Sequence, residues 1–394
     1  MILKQLLKIF LSLIIAIAIY SLILTLDLPL FLITPIRNGA SWLVLCWGIL
    51  LYFCYSLRGW LGVTLSSTFT LVLFGLPLVR LWETGVSESV IVGGLFPWSD
   101  PMMYYWHSGN LLQGLTMVRT VNSARPIFVG ILSFFLYITQ ENLQITLAIL
   151  TALIAVSCYF LARELQKTYS PIVGILVILI LFIFITPLIG SLMTEIFGLS
   201  LGILSFALLL RSARQMSFNL ALLAIFIITI ALNTRTGTFF VLPSLILWGG
   251  YVFRGSKLLS YRFLILGFTM VLMGFILNSA LLKIIGHPET ASSYGNFGFM
   301  FYGVITDTDW TQITADYPEL EKLKGINLSS RVNEIVWQRI RENPLDSLKG
   351  IIKQWYYFFL DRYNSIFFIE RNYLELWLRF FASIGFVYNL FRVF

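Results

Sequence analysis

Apolar runs of roughly 20 residues recur along this chain, with charged residues held mainly to the short segments between them. A run of that length, coiled as a helix, matches the ~30 Å hydrocarbon core of a bilayer. Within a bilayer only helices and closed barrels satisfy their own backbone polar groups. The runs are continuously apolar rather than alternating, which selects helices. Composition agrees: 58% of residues are hydrophobic and 12% charged, against about 25% charged in ordinary soluble domains. A soluble fold of this length could not cover so much apolar surface. The expected fold is an all-α polytopic membrane protein, a single transmembrane domain over residues 1–394.

The runs place spans at 9–34, 41–57, 60–81, 143–162, 170–187, 196–210, 218–233, 236–253, 263–285, 350–370 and 374–393. Lys4 and Lys8 precede the first apolar core as in a signal peptide. No small-residue cleavage site follows within Met1 to Leu26, so this segment is expected to stay as the first span. Residues 126–139 (PIFVGILSFFLYIT) are apolar but number only 14, too few to cross as a helix. Basic residues decide their placement, because cytoplasmic loops collect Lys and Arg. If 126–139 does not cross, Lys4, Lys8, Arg58, Arg163, Lys167, Arg211, Arg214, Arg254, Lys257, Arg262 and Arg371 share one side. If it crosses, the later basic loops all move outside. The segment is therefore read as a half-inserted or surface helix. The expected topology has eleven transmembrane helices, a cytoplasmic N-terminus, and two large non-cytoplasmic loops carrying surface helices.

The first loop covers 82–142 and the second 286–349. In the second, Val332, Ile335, Val336 and Ile340 recur at helical spacing, predicting an amphipathic helix that ends before Pro344. Trp355, Tyr356 and Tyr357 are expected to anchor the next span at the interface. Two loops of this size exceed what a compact carrier needs, and no paired halves with broken helices suggest a transporter.

The net charge of +8 comes from scattered basic residues, not from a basic patch with interleaved aromatics, so nucleic acid is not an expected partner. Cys46, Cys54 and Cys158 lie inside apolar runs and read as small buried hydrophobes. No phosphate-binding loop, dinucleotide fingerprint or zinc motif is present. Asp307 and Asp309 lack the glycine and glutamate of a calcium loop and read as a solvated turn.

The unusual polar residues fall on the non-cytoplasmic side. Asp100 sits among aromatics in Phe96-Pro97-Trp98-Ser99-Asp100-Pro101, with Tyr104, Tyr105 and His107 following. A carboxylate there is placed to take a proton from an attacking hydroxyl, while Ser-Asp-Pro is equally a turn or cap sequence. Glu195, between two apolar runs, is either a functional intramembrane acid or an acid favoured by a helix N-terminus. Arg125 and Arg235 carry guanidinium forks that suit phosphate oxygens, or they snorkel to the interface. His107 and His287 are the only histidines, and His107 is a possible site-lining group.

The order of these pieces resembles the GT-C class of polytopic glycosyltransferases, which includes protein O-mannosyltransferases and the aminoarabinose transferase of lipid A. An acid in the first large outer loop (Asp100, then Tyr104 and Tyr105) is followed by an Arg-Pro that opens a short apolar helix (Arg125-Pro126). A span then ends in Tyr159 to Leu165, and a second acid follows at the next outer turn (Thr194-Glu195). Arg235-Thr236-Gly237 through Leu242-Pro243 to Trp248, and Glu334-Ile335 to Asn343-Pro344, complete the series. The similarity covers residues 90–360, with Glu195 where the class often has Asp.

The resemblance implies a hexosyl- or pentosyltransferase that moves a sugar from a polyprenyl-phosphate donor to a lipid, glycan or protein hydroxyl acceptor, with inversion. In that scheme Asp100 is the general base, and Arg125 or Arg235 binds the lipid phosphate. Glu195 orients the acceptor or a divalent cation, the metal being left open. Membrane lipids are the expected surroundings, and a bacterial inner membrane the expected location. A polymerase or ligase of lipid-linked glycans is the alternative, and a non-enzymatic transporter a more distant one.

Overall fold

A computed structural model of the chain describes residues 2–38, 42–117, 124–237, 239–256, 258–286 and 293–360. The regular structure of the described residues is helical apart from one small hairpin, β1 (Ile91–Val92) and β2 (Phe96–Pro97). Two compact units divide the chain, one holding residues 2–117 and 125–286, the other described at Ala124 and from 293 to 360.

The first unit contains α1 (Ile2–Ile23), α2 (Leu30–Arg37), α3 (Trp42–Ser56), α4 (Gly59–Thr84), α5 (Asp100–Leu112) and α6 (Pro126–Ile138). It continues with α7 (Leu143–Thr168), α8 (Pro171–Ile185), α9 (Thr194–Gln215), α10 (Phe218–Thr234), α11 (Val241–Val252) and α12 (Tyr261–Ile285). Five segments are long and apolar enough to cross a membrane: α4, α7, α8 with its terminal 3-10 turn Thr186–Leu188, α9 and α12. The pair α2 and α3, bent by 90°, makes a sixth if taken as one span. The apolar helices α10 and α11 are shorter, as is the Phe10–Ile23 part of α1. Of the eleven expected spans, five or six appear as helices of spanning length among the described residues. The expected span at 374–393 and most of the one at 350–370 lie outside those residues.

Three expected spans have different bounds. The first, 9–34, is not continuous. Asp27-Leu28-Pro29 separates α1 from α2, since proline lacks an N–H and pushes the residue before it out of helical geometry. The freed Leu28 N–H donates to Glu83 Oε1 at 2.7 Å. The 236–253 span is helical only from Val241. In the second unit, the helix expected from 350 already starts at Pro344.

Packing is centred on α4, 83% of whose apolar window is buried, against 17% for α12 at the periphery. Around α4 lie α1, α2, α3 and α7; α7 carries α8 and α9; and α10 joins α9 to α11 and α12. The α9–α10 contact is built on small residues, Gly198, Ser205, Ala224 and Ala231, which let helix backbones approach closely. Ser205 Oγ donates across it to the Ala224 carbonyl at 2.8 Å. Helix α6 buries Phe128, Leu132 and Leu136, with α5, α10 and α12 packed against it, and exposes Phe134, Tyr137 and Ile138. Cys54 and Cys158 are buried as expected, whereas Cys46 is exposed.

The second unit contains α13 (Asn296–Thr306), α14 (Gln312–Asp316), α15 (Gly325–Glu342) and α16 (Pro344–Leu360). As expected from spacing, α15 is amphipathic: Leu328, Val332, Ile335 and Val336 are buried with Phe299, Tyr302, Ile305, Ile313 and Leu320. Gly298 lets α13 approach α15, since a Cβ there would lie 2.5 Å from the Val332 side chain. Asp309 Oδ1 accepts from the Thr311 N–H and hydroxyl at 2.9 and 2.6 Å, and Asp307 pairs with Lys353.

Candidate active site

Four separate elements of the first unit bring the sequence-predicted polar residues together at one end of the helices. Asp100 is the first residue of α5 and is exposed, where the positive end of the helix favours a carboxylate. Ser99 before it holds φ 60° and ψ −132°, a backbone conformation costly for a residue with a Cβ. Tyr104 follows Asp100 by four residues, one turn along the same face. The Tyr104 ring meets Phe128 of α6 edge-on at 5.5 Å, and Phe128 in turn meets Phe197 of α9 at 6.5 Å. These rings, with Ser108 Oγ donating to the Val129 carbonyl at 3.1 Å, fix α5 against α6 and the start of α9.

Arg125 stands at the N-cap of α6, 5% exposed. Its guanidinium donates a hydrogen bond to the Tyr104 hydroxyl, and Glu195 and Arg235 both lie within electrostatic reach. Burial draws its pKa downward, against the opposing pull of Tyr104 and Glu195. Burial also pushes the Tyr104 phenol up. Arg125 and Arg235 oppose that shift, while Asp100 and Glu195 add to it, so the group is neutral at physiological pH.

Glu195 occupies the first turn of α9 with both oxygens engaged. Oε1 pairs with Arg235 Nη2 at 3.1 Å and Oε2 accepts from the Thr194 hydroxyl at 3.0 Å. Arg235 caps the C-terminal end of α10 in an extended conformation. It reaches Glu195 because Gly198 leaves room: a Cβ at 198 would lie 3.2 Å from Arg235 Cβ. Arg235 is 47% exposed and Glu195 21%, so the pair is open to an incoming group. Asp100, Tyr104, Arg125, Glu195 and Arg235 therefore form one electrostatic cluster.

Tyr105 is half-buried against the main core. His107 is 2% exposed, and burial lowers its pKa, so it is neutral near pH 7. His287 lies outside the described residues. Among the described residues no three His, Cys, Asp or Glu side chains gather as metal ligands. Asp100 and Glu195 supply two carboxylates at most, so a divalent cation here would need substrate oxygens to complete its shell.

One arginine at this end was not singled out from sequence. Arg37 at the end of α2 is 6% exposed; it makes a two-pronged ion pair with Glu88 and donates to the carbonyls of Thr186 and Ile189 at 2.7 and 2.8 Å. Its signal was present: a basic residue in a short loop on the side where basic residues are otherwise sparse. It ties α2, the loop before the hairpin and the α8–α9 turn together.

No protein-family model, curated protein or solved structure matches this chain.

Proposed function

We propose that this chain is a membrane glycosyltransferase that moves a sugar from a polyprenyl-phosphate donor to a hydroxyl acceptor at the non-cytoplasmic face. The observation that carries the reading is the convergence of Asp100, Tyr104, Arg125, Glu195 and Arg235, from four elements remote in sequence, at one end of the first unit. Arg163, Lys167, Arg211 and Arg214 lie at the other end of α7 and α9, the end the distribution of basic residues assigns to the cytoplasm. A bacterial inner membrane suits this arrangement.

In the reaction the acceptor oxygen attacks the anomeric carbon from the face opposite the phosphate. Its proton passes to Asp100, the carbon–oxygen bond to phosphate breaks, and the polyprenyl phosphate leaves with the electron pair, inverting the sugar. Asp100 is exposed and acts as base. Arg235 is the accessible guanidinium for the leaving phosphate. Arg125, buried and hydrogen-bonded to Tyr104, adds fixed positive charge where negative charge develops. Glu195 holds Arg235 until phosphate competes for it and then orients the acceptor.

The test is transfer from a panel of radiolabelled polyprenyl-phosphate sugars in membranes containing the protein and candidate acceptors. Wild-type transfer that Asp100→Asn abolishes at equal expression supports class and base together. Full transfer by Asp100→Asn removes the base assignment and keeps the class. Transfer only from lipid diphosphates, insensitive to Asp100, points instead to a polymerase or ligase.

A further inference from the structure

The second unit presents a feature that the transfer chemistry does not use. Along the exposed side of α15, Ser330, Asn333, Glu334, Trp337, Gln338, Arg341 and Glu342 line a shallow groove of about 770 Å³. These positions follow helical spacing, so they form one stripe ~18 Å long on a single face. Trp337 stands near its middle, 58% exposed.

Two observations decide what this face fits. First, the apolar side of α15 is already used, with Leu328, Val332, Ile335 and Val336 buried in the unit's own core. A helix that lies in a membrane surface needs that side free and a strongly basic polar side. Second, the stripe is balanced in charge. Arg331 pairs with Glu334 at 3.1 Å, Gln338 donates to Glu342 at 2.8 Å, and Arg341 offsets the second acid. Such a face neither attracts anionic lipid nor demands a charged ligand. It offers an indole surface, negative over its face, bordered by amide, carboxylate and guanidinium groups that donate and accept in fixed planes.

We infer that the α15 face is a binding site for neutral oligosaccharide: the C–H face of a pyranose ring stacks on Trp337, and Asn333, Gln338, Glu342 and Arg341 bond its hydroxyls. The inference does not depend on the transfer reading.

The experiment uses the full-length protein in detergent, titrated with hexasaccharides of α-1,4-linked glucose, β-1,4-linked glucose and β-1,4-linked N-acetylglucosamine. Saturation-transfer NMR and calorimetry supply the readouts. Saturable binding of at least one is expected, weakened about tenfold or more by Trp337→Ala and largely kept by Trp337→Phe. Asn333→Ala with Gln338→Ala gives an independent loss through hydroxyl contacts. Asp100→Asn binds as wild type does, which separates this site from the transfer chemistry. Failure to bind any of the three, or binding indifferent to Trp337→Ala, overturns the inference. So does Trp337-dependent adhesion to anionic phosphatidylglycerol vesicles without sugar binding, which would make the face a lipid anchor.

Discussion

Helix α9 carries an acid–arginine arrangement at each end, about 33 Å apart, and the two differ in one respect. At the end bearing Arg214, Glu164 of α7 is closed in. Its side chain is 8% exposed, Lys167 donates to Oε1 at 2.8 Å and Arg214 to Oε2 at 2.6 Å. Neighbouring groups are spent as well: Arg163 donates to Gln166 at 2.7 Å and lies 5.6 Å above the Tyr55 ring, while Gln166 donates to the Tyr55 carbonyl at 2.6 Å. At the Glu195 end the acid's bonded cation, Arg235, is nearly half exposed, and Arg125 lies within electrostatic reach. The same residue types thus make a clasp where the acid is closed in and leave a receptive surface where the pair is exposed. A polar cluster near a membrane is informative about function through what it leaves open.

The largest effect expected from this comparison is functional. Asp100→Asn lowers transfer by roughly 10²- to 10⁴-fold while thermal unfolding in detergent stays at the wild-type midpoint, because the carboxylate is exposed. Glu195→Gln follows, with a transfer loss of about 10²-fold and little change in unfolding. Glu164→Gln inverts that pattern: activity per folded molecule is retained, but stability falls by about 1–2 kcal/mol, since two charge-assisted hydrogen bonds are weakened while the freed cations stay partly in water. If Glu195→Gln unfolds the protein and Glu164→Gln abolishes transfer, the assignment of clasp and site is reversed.

Smaller effects sharpen the same contrast. Burial holds His107 below its ordinary pKa of 6.5. The unfolded chain then binds this proton more tightly than the folded one, so His107's contribution to stability is full above 6.5 and is lost as pH falls through and below that value. Unfolding midpoints measured from pH 7.5 to 5 decline, and His107→Gln flattens the slope. The smallest effect is expected at Ser99, where φ is 60°. Ser99→Gly relieves the backbone strain and raises stability by about 1 kcal/mol or less, with Asp100 still at the helix start.

Sequence carried the helices well because their apolar runs are long and their ends are marked. Gly85 closes α4 in the left-handed conformation, and Asn142, Ser170 and Ser260 cap the helices that follow. The break after α1 was obscured because Leu26, Leu28 and Leu30 keep the average apolarity high across Asp27 and Pro29. Helix α5 was also hidden: DPMMYYWHSGNLL lacks a clean apolar stripe, and the Ser-Asp-Pro that starts it reads equally as a turn. The site residues were legible one by one as charges in an apolar setting. Their convergence was not, because it depends on a close α9–α10 contact at Gly198 and on the Tyr104–Phe128–Phe197 chain of rings. Arg37 was missed for a related reason: its partners lie 51 to 152 positions further on.

That separation has a consequence for the order in which the protein is made. Ribosomes add about 5–20 residues per second, so the carbonyls at Thr186 and Ile189 that receive Arg37 are synthesised roughly 8–30 seconds after it. During that interval Glu88, made roughly 3–10 seconds after Arg37, can already pair with the guanidinium, while its two carbonyl acceptors are still missing. The first four helices can therefore pack on one another early, and the last hydrogen bonds of the Arg37 clamp are set by a segment made much later.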